Sequence, residues 1–404
     1  MPQPTWIDEI TFADIEQNPY DVYERLRREA PLAFVPALGA WVASTWRHCQ
    51  MIANDSENFA GAAQPSLLRT FGTPNVLSAE DDTHADLRAM LDPALRAREV
   101  RRYIDDLVRP IARKQLESLA GRNSAELMAE YCEPVSVRAL GDLLGLRDVD
   151  SDTLRQWFHA LSSSFANAAL DPEGNFLFPE GFEAGDKAKE EIHAVVDPLL
   201  QRWKEAPDDL AAISHWMRDG LPEGQSRPPE YIYPTLYVIL LGGMQEPGHA
   251  MGSTLAGLFS RPDQYKQVLE AKQQLLAKAV NEGLRWTAPI WGAVSRTAKR
   301  AIEVDGIEIR EGDTVMVTYG SANWDQAEFE HPEVFDMDRP QHAHLSFGAG
   351  RHACAGAAFA PQLARIALEE LLERLPALGP DPEYPPLEMW GWAFRGPKEL
   401  RARW

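Results

Sequence analysis

Cysteine is scarce: Cys49, Cys132 and Cys354 are the only three, far apart and in no CxxC pair. That excludes a disulfide framework and a zinc site of the usual spacing, and it points to a reducing compartment. Long apolar runs are also missing, since the longest, Leu236 to Met244, is far too short to span a bilayer. The start, MPQPTWIDEITFADIE, has neither a basic segment nor an apolar one of the export type, so a cytoplasmic protein is expected. Positive charge is outnumbered, with 40 Lys and Arg against 61 Asp and Glu, giving a formal net charge of −21. Nucleic acid and anionic membrane share that sign and are disfavoured as general partners. No repeat, low-complexity tract or Gly/Ser-rich linker divides the chain, and a single domain over residues 1–404 is expected.

What is present is ordinary core-forming material, 45% hydrophobic with 25% charged residues, which allows a large folded enzyme. Apolar residues recur at helical spacing over Asp21 to Ala30, His84 to Leu119, Ser136 to Leu144, Asp152 to Ala169, Gly185 to Lys204 and Tyr231 to Phe259. Pro93 and Pro110 are expected to break or kink the second of these. Strand-like alternation is confined to short pieces, clearest at Leu32 to Ala43 and Ala301 to Val317. The fold class is therefore mainly α with a minor β part. Pro and Gly thicken from Gly379 to Pro386, marking a loop before a final WGWAFRGP segment.

The segment FGAGRHACAG, Phe347 to Gly356, sets one cysteine among glycines and is followed by a helical pattern carrying Leu363, Ile366, Ala367, Leu371 and Leu375 on one face. Glycines permit tight turning and close approach to a flat ligand. A helix N-terminus beside Cys354 would lower its thiol pKa, as suits a metal-binding thiolate. Pro361 marks either the first helical turn or a kink.

Phe347, Gly350, Cys354 and Gly356 match the FxxGxxxCxG signature, and on these residues the chain resembles the cytochromes P-450. The resemblance implies a triangular prism of helices around haem b, with Cys354 as the axial iron ligand and Phe347 and Gly348 against the haem. Three further positions resemble the family's buried network: Glu282 and Arg285 in NEGLRW, three apart and so on one helix face, and Arg339 in DRP. A buried carboxylate between two guanidiniums is tolerable only when all are hydrogen-bonded together, and this trio would brace the cysteine loop. His84 and Arg88 in HADLR, Arg296 in SRTA and His352 fit the positions that hold the haem propionates through charge-assisted bonds.

One departure stands out. Where the family usually carries an acid-threonine pair in the long central helix, this chain has LLGGMQEPGH, with Gln245 at the acid position and Glu246 at the threonine position. Pro247 lacks an N–H, which leaves the carbonyl of Gly243 unbonded and should kink the helix. Gly243, Gln245 and Glu246 are the expected managers of water and protons, with the Glu246 pKa raised by an apolar pocket. MQEPGH, RTFG, YGSAN and WGWxFRGP resemble the guaiacol-type aromatic O-demethylase branch, which implies methoxyphenol substrates and a reductase that carries FAD and an iron-sulfur cluster and draws on NAD(P)H.

The same resemblance places Phe71, Phe165, Ile290, Ala293, Val294 and Phe394 around the substrate, walls that suit a small planar ring. A basic island of Arg88, Arg96, Arg98, Arg101, Arg102, Arg109 and Arg113 would border the proximal face, where a ferredoxin-type partner docks near Arg96 to Arg102. A peroxygenase of the same fold or a haem-binding protein without turnover are the alternatives. Glu246 before Pro247 would repel the fatty-acid carboxylate such a peroxygenase holds there.

Overall fold

The computed structural model describes residues 3–168, 174–292, 294–340, 343–384 and 387–404. Each helical pattern in the sequence is a helix. In chain order the ones that matter here are α1 (Pro19–Glu29), α2 (Asp81–Leu95), α3 (Ala97–Glu117), α4 (Glu133–Leu144), α5 (Ser151–Ala166), α6 (Glu183–Glu205), α7 (Pro229–Ser260), α8 (Lys272–Trp286) and α9 (Phe359–Arg374). Residue 169, the end of one expected helix, and Pro385 and Pro386 of the late loop lie outside the described residues.

The prolines do not interrupt their helices. Pro93 and Pro110 both sit inside helices, and the break falls at Arg96, whose ψ of 139° is extended. A proline inside a helix costs about 3 kcal/mol. Around Pro110 that cost is offset by a buried stripe at four-residue spacing, Val100, Ile104, Val108, Ala112 and Leu116. Likewise α7 runs unbroken through Pro234 and Pro247, because its middle is buried nearly all round by apolar neighbours. It packs against α4, α5, α8 and α9, and so is the axle of the helical part.

The β part is a five-stranded sheet in the order β1-β2-β5-β4-β3, formed by Leu32–Val35, Ala40–Ala43, Phe59–Ala60, Ser295–Ala298 and Thr314–Val317 numbered along the chain. β1 and β2 form a hairpin with Leu32 opposite Ala43, closed by Pro36–Leu38 and Gly39 at φ 59°. β5 lies parallel to β2 and antiparallel to β4. The alternation in IEVDGIEI is a separate hairpin whose two-residue turn places both Asp305 (φ 50°) and Gly306 (φ 80°) in left-handed backbone. Among the described residues, no helix is long and apolar enough to cross a membrane.

Candidate functional site

Between α2, α7, the cysteine loop, β4 and the C-terminal turn lies a mainly apolar cavity. Its polar lining gathers in three places, at the cysteine loop, at a cluster of basic side chains and at Glu246.

Residues 347–356 fold as the glycines demand. Gly348 and Gly350 take φ of 68° and 70°, and a Cβ on Gly350 would stand 2.1 Å from the Ala53 carbonyl oxygen. The Cys354 N–H donates to the Phe347 carbonyl at 2.8 Å, closing a loop that presents Phe347, Gly348 and Cys354 to the cavity. Two expectations need correction or resolution here. A short 3-10 turn, Ala355–Ala357, intervenes before α9, so the helix end does not reach the sulfur directly, and Pro361 lies in the first turn of α9, where its missing N–H is harmless. The thiol pKa is accordingly not lowered: burial pushes it up, and the Glu246 carboxyl adds to this, against the Gly356 N–H and Arg88. Cys354 is exposed and lines the cavity.

Behind the loop, the buried carboxylate network is present. The Arg285 guanidinium, 2% exposed, donates to both oxygens of Glu282, 4% exposed, at 2.9 and 2.7 Å. Arg285 also donates to the carbonyls of Asn323 and Pro332, and Arg339 donates to Glu282 at 3.4 Å and to the carbonyls of Glu330, His331 and Val334. The link to the cysteine loop runs through side chains that the sequence reading passed over. The Ser346 hydroxyl donates to the Leu284 carbonyl at 2.7 Å, the Asn323 amide donates to the Ser346 hydroxyl, and the Leu345 N–H donates to Asn323. Asn323 ends the YGSAN run, so the signal was visible without its purpose.

At the basic edge Arg88, Arg296 and His352 line the cavity, with the ring of His84 4.4 Å from that of His352. Arg88 is fixed by Asp92 and the Ala353 carbonyl, both at 2.7 Å. Burial, aided by the charges of His352 and Arg88, pushes the His84 pKa down to about 4. Its Nε2 and the hydroxyl of Tyr319 are shielded from solvent and have no protein partner. Leaving a buried donor unmade costs about 1–3 kcal/mol, so this edge fits a group that brings acceptors, as the two carboxylates of a porphyrin do. His352 is less free than expected, because its Nε2 meets the Glu80 carboxylate at 3.2 Å. Glu80 also accepts the Gly61 N–H at 2.6 Å. Nothing in the sequence marked Glu80, whereas Tyr319 opens the YGSAN run, visible as a signal without its purpose.

On α7 the expected trio separates. Glu246 lines the cavity with both carboxyl oxygens shielded and unpartnered, and burial raises its pKa well above the usual carboxyl value. Gly243 lines the cavity too, with no Pro247 N–H to take its carbonyl. Gln245 faces α5 instead, accepting from the Ser162 hydroxyl at 3.5 Å, so it is not a cavity residue and does not pair with Glu246. At the helical pitch one residue turns about 100°, which carries neighbours to different faces.

Phe71, Phe165, Ile290, Val294 and Phe394 all line the cavity; Ala293 lies outside the described residues. Phe165 is flanked by Phe71 and Phe394 with ring centroids 5.8 Å apart in both cases. Of the basic island, Arg109 and Arg113 are taken by Glu370, at 2.6 and 2.8 Å. Arg102 pairs with Glu99, which leaves Arg96, Arg98 and Arg101 as exposed arginines with no ion pair among the described residues.

A thiol-bearing loop and gathered porphyrin-edge donors on a helical prism define a haem protein, and comparison with known proteins gives its family. The cytochrome P-450 family model matches residues 42–390. The chain is similar to the cytochrome P-450 monooxygenase PikC of Streptomyces venezuelae, 28% identical with 97% of this chain and 92% of that protein covered. It is also similar to the polyketide biosynthesis cytochrome P-450 PksS of Bacillus subtilis, 25% identical with 91% and 92% covered. Among solved structures, CYP109E1 from Bacillus megaterium in complex with testosterone superposes with a TM-score of 0.83 at 23% identity, covering 96% of this chain and 97% of that one. The chain belongs to the cytochrome P-450 family and has its fold. It is a monooxygenase of the class that carries haem b and receives electrons from a redox partner.

Proposed function

We propose that this protein is a haem-thiolate monooxygenase in which Cys354 ligates the iron, and that it O-demethylates small methoxyphenols, guaiacol or a 4-alkylguaiacol, to catechols and formaldehyde. The observation that carries the substrate reading is the aromatic wall of Phe71, Phe165 and Phe394 in a cavity whose distal polar group is the lone carboxyl of Glu246. The resemblance of MQEPGH, YGSAN and WGWAFRGP to guaiacol-type O-demethylases supports the same reading.

Haem b supplies two-electron activation of dioxygen when bound. The protein's own groups do the rest. Arg88, Arg296 and His84 would hold the propionates, with His352 steadied beside them by Glu80. Cys354 would hold the iron and would give up its proton to do so, since metal binding releases ligand protons. The phenylalanines and Val294 hold the ring and exclude water. Glu246 keeps a proton on a carboxyl oxygen and delivers it to the reacting oxygen, while the Gly243 carbonyl orients the water beside it. One oxygen atom enters a C–H bond of the methoxy carbon and the other leaves as water with two protons and two electrons. The hemiacetal collapses to a phenol and formaldehyde. Electrons arrive from a reductase bearing FAD and an iron-sulfur cluster, fed by NAD(P)H, docked over Arg96, Arg98 and Arg101.

The test is spectroscopic and chemical. The reduced carbonyl complex should show the red-shifted thiolate Soret band, and Cys354→Ala should lose it. Methoxyphenols should convert low-spin to high-spin haem and release one formaldehyde per catechol. A spin shift from fatty acids with none from any methoxyphenol would refute the substrate reading.

A further inference from the structure

With Arg88, Arg296 and His84 given to the propionates, one buried polar group at the same edge has no task. Tyr319 lines the cavity and is 3% exposed, and its hydroxyl has no hydrogen-bond partner. A buried donor is rarely left unmade, so the position calls for a ligand that accepts. The surroundings hold the ring in place. Tyr319 opens a one-turn helix, Tyr319–Ala322, just after β5. Before it, the Thr318 hydroxyl donates to the Ala43 carbonyl at 2.7 Å. After it, the Gly320 N–H donates to the Trp291 carbonyl at 3.0 Å, and a Cβ on Gly320 would stand 2.1 Å from the Trp291 ring. The Tyr319 ring itself belongs to the buried cluster that includes Val315, Val317 and Ala322.

Two neighbours show what the hydroxyl faces. A Cβ on Gly348, one of the glycines that turn the cysteine loop, would stand 3.3 Å from the phenol oxygen. The other neighbour is Arg296. Burial raises the Tyr319 pKa and the Arg296 charge acts against that; the Ala349 N–H lowers it too but makes no hydrogen bond within ordinary limits. Arg296 is itself 3% exposed, donates to the Ser295 carbonyl at 2.8 Å and has no ion pair among the described residues. A buried guanidinium without an anion and a buried phenol without an acceptor therefore share one edge of one cavity. A carboxylate meets both needs, since its two oxygens offer about four lone-pair sites.

We propose that the Tyr319 hydroxyl donates to the haem propionate that Arg296 holds. The phenol is neutral, so it binds without altering the charge of the site, and it draws part of the carboxylate's charge away from the iron. The inference rests on the reading of this edge as the propionate site.

The experiment uses the haem-loaded protein and follows haem retention and potential rather than turnover. Tyr319→Phe keeps the packed ring and removes only the O–H. Its haem should pass to apomyoglobin about ten-fold faster or more, the scale of one lost bond to a charged group. Its reduction potential, read by spectroelectrochemistry, should fall, because the propionate then keeps more negative charge and favours ferric iron. A potential equal to the parent's or higher would overturn the inference whatever the release rate, since loosened packing alone quickens release. Release at the parent's rate would overturn it as well. Arg296→Gln separates the inference from the reading of the site, since it too should quicken release and lower the potential. If it does so while Tyr319→Phe keeps the parent's potential, Tyr319 alone is set aside. If Arg296→Gln changes neither, the propionates lie elsewhere and the reading of the site fails together with the inference.

Discussion

Replacing Glu246 by Gln tests the electrostatics of the cavity through stability alone. The carboxyl has no protein partner and its folded pKa lies well above the reference value of 4.5, because burial disfavours the charged form. A group whose pKa is raised on folding contributes least destabilisation at low pH, where it is protonated in both states. As pH rises past the unfolded pKa the unfolded chain ionises and the folded one does not, so stability is lost until the folded pKa is passed. Each pH unit in that window corresponds to about 1.4 kcal/mol. Glu246→Gln removes the titration, and its stability relative to the parent should therefore climb as pH rises from about 5, and go on climbing until the folded pKa of Glu246 is reached. Urea unfolding of the haem-loaded proteins at several pH values, read as the difference between the two, isolates this effect from the fixed cost of the amide. A difference that does not change with pH would mean that Glu246 is ionised or well solvated in the folded protein, and the argument for a stored proton would fail.

Two further outcomes follow from the geometry. Arg285→Ala leaves the Glu282 carboxylate buried with only Arg339 and the Asp336 N–H, and should destabilise the protein by about 3–5 kcal/mol and loosen haem retention, as followed by haem transfer to apomyoglobin. Arg285→Lys should recover little, since an ammonium cannot span both carboxylate oxygens while also reaching the Asn323 and Pro332 carbonyls. Arg96→Glu with Arg101→Glu should slow electron delivery from an acidic ferredoxin-type partner and flatten its dependence on salt, measured by stopped-flow reduction, with the substrate spin shift unchanged.

The linear pattern of residues was sufficient for the long helices and the clearest strands, though not for Trp46–Asn54, Pro65–Phe71 or Pro262–Glu270, because amphipathic spacing at 3.6 and 2.0 residues is a local property that burial then uses. It was sufficient too for the cysteine loop, where the backbone turns only because Gly348 and Gly350 permit left-handed φ. Helix breaks were not legible. Pro93 and Pro110 were the reasonable choices, yet the chain turns at Arg96, since the loss of one hydrogen bond at a proline is outweighed when the rest of the face is buried. Side-chain partners were legible only where both lie on one helix, as with Glu282 and Arg285. Which of Gln245 and Glu246 enters the cavity depends on how α7 is rotated against α5, and that Glu80 meets His352 from 272 positions away depends on the whole fold. The Cys354 thiol shows the same division. Its place in a glycine-rich turn belongs to the sequence, but its proton affinity is set by burial and by Glu246 across the cavity. Desolvation and Coulomb interactions depend on distances that only packing creates.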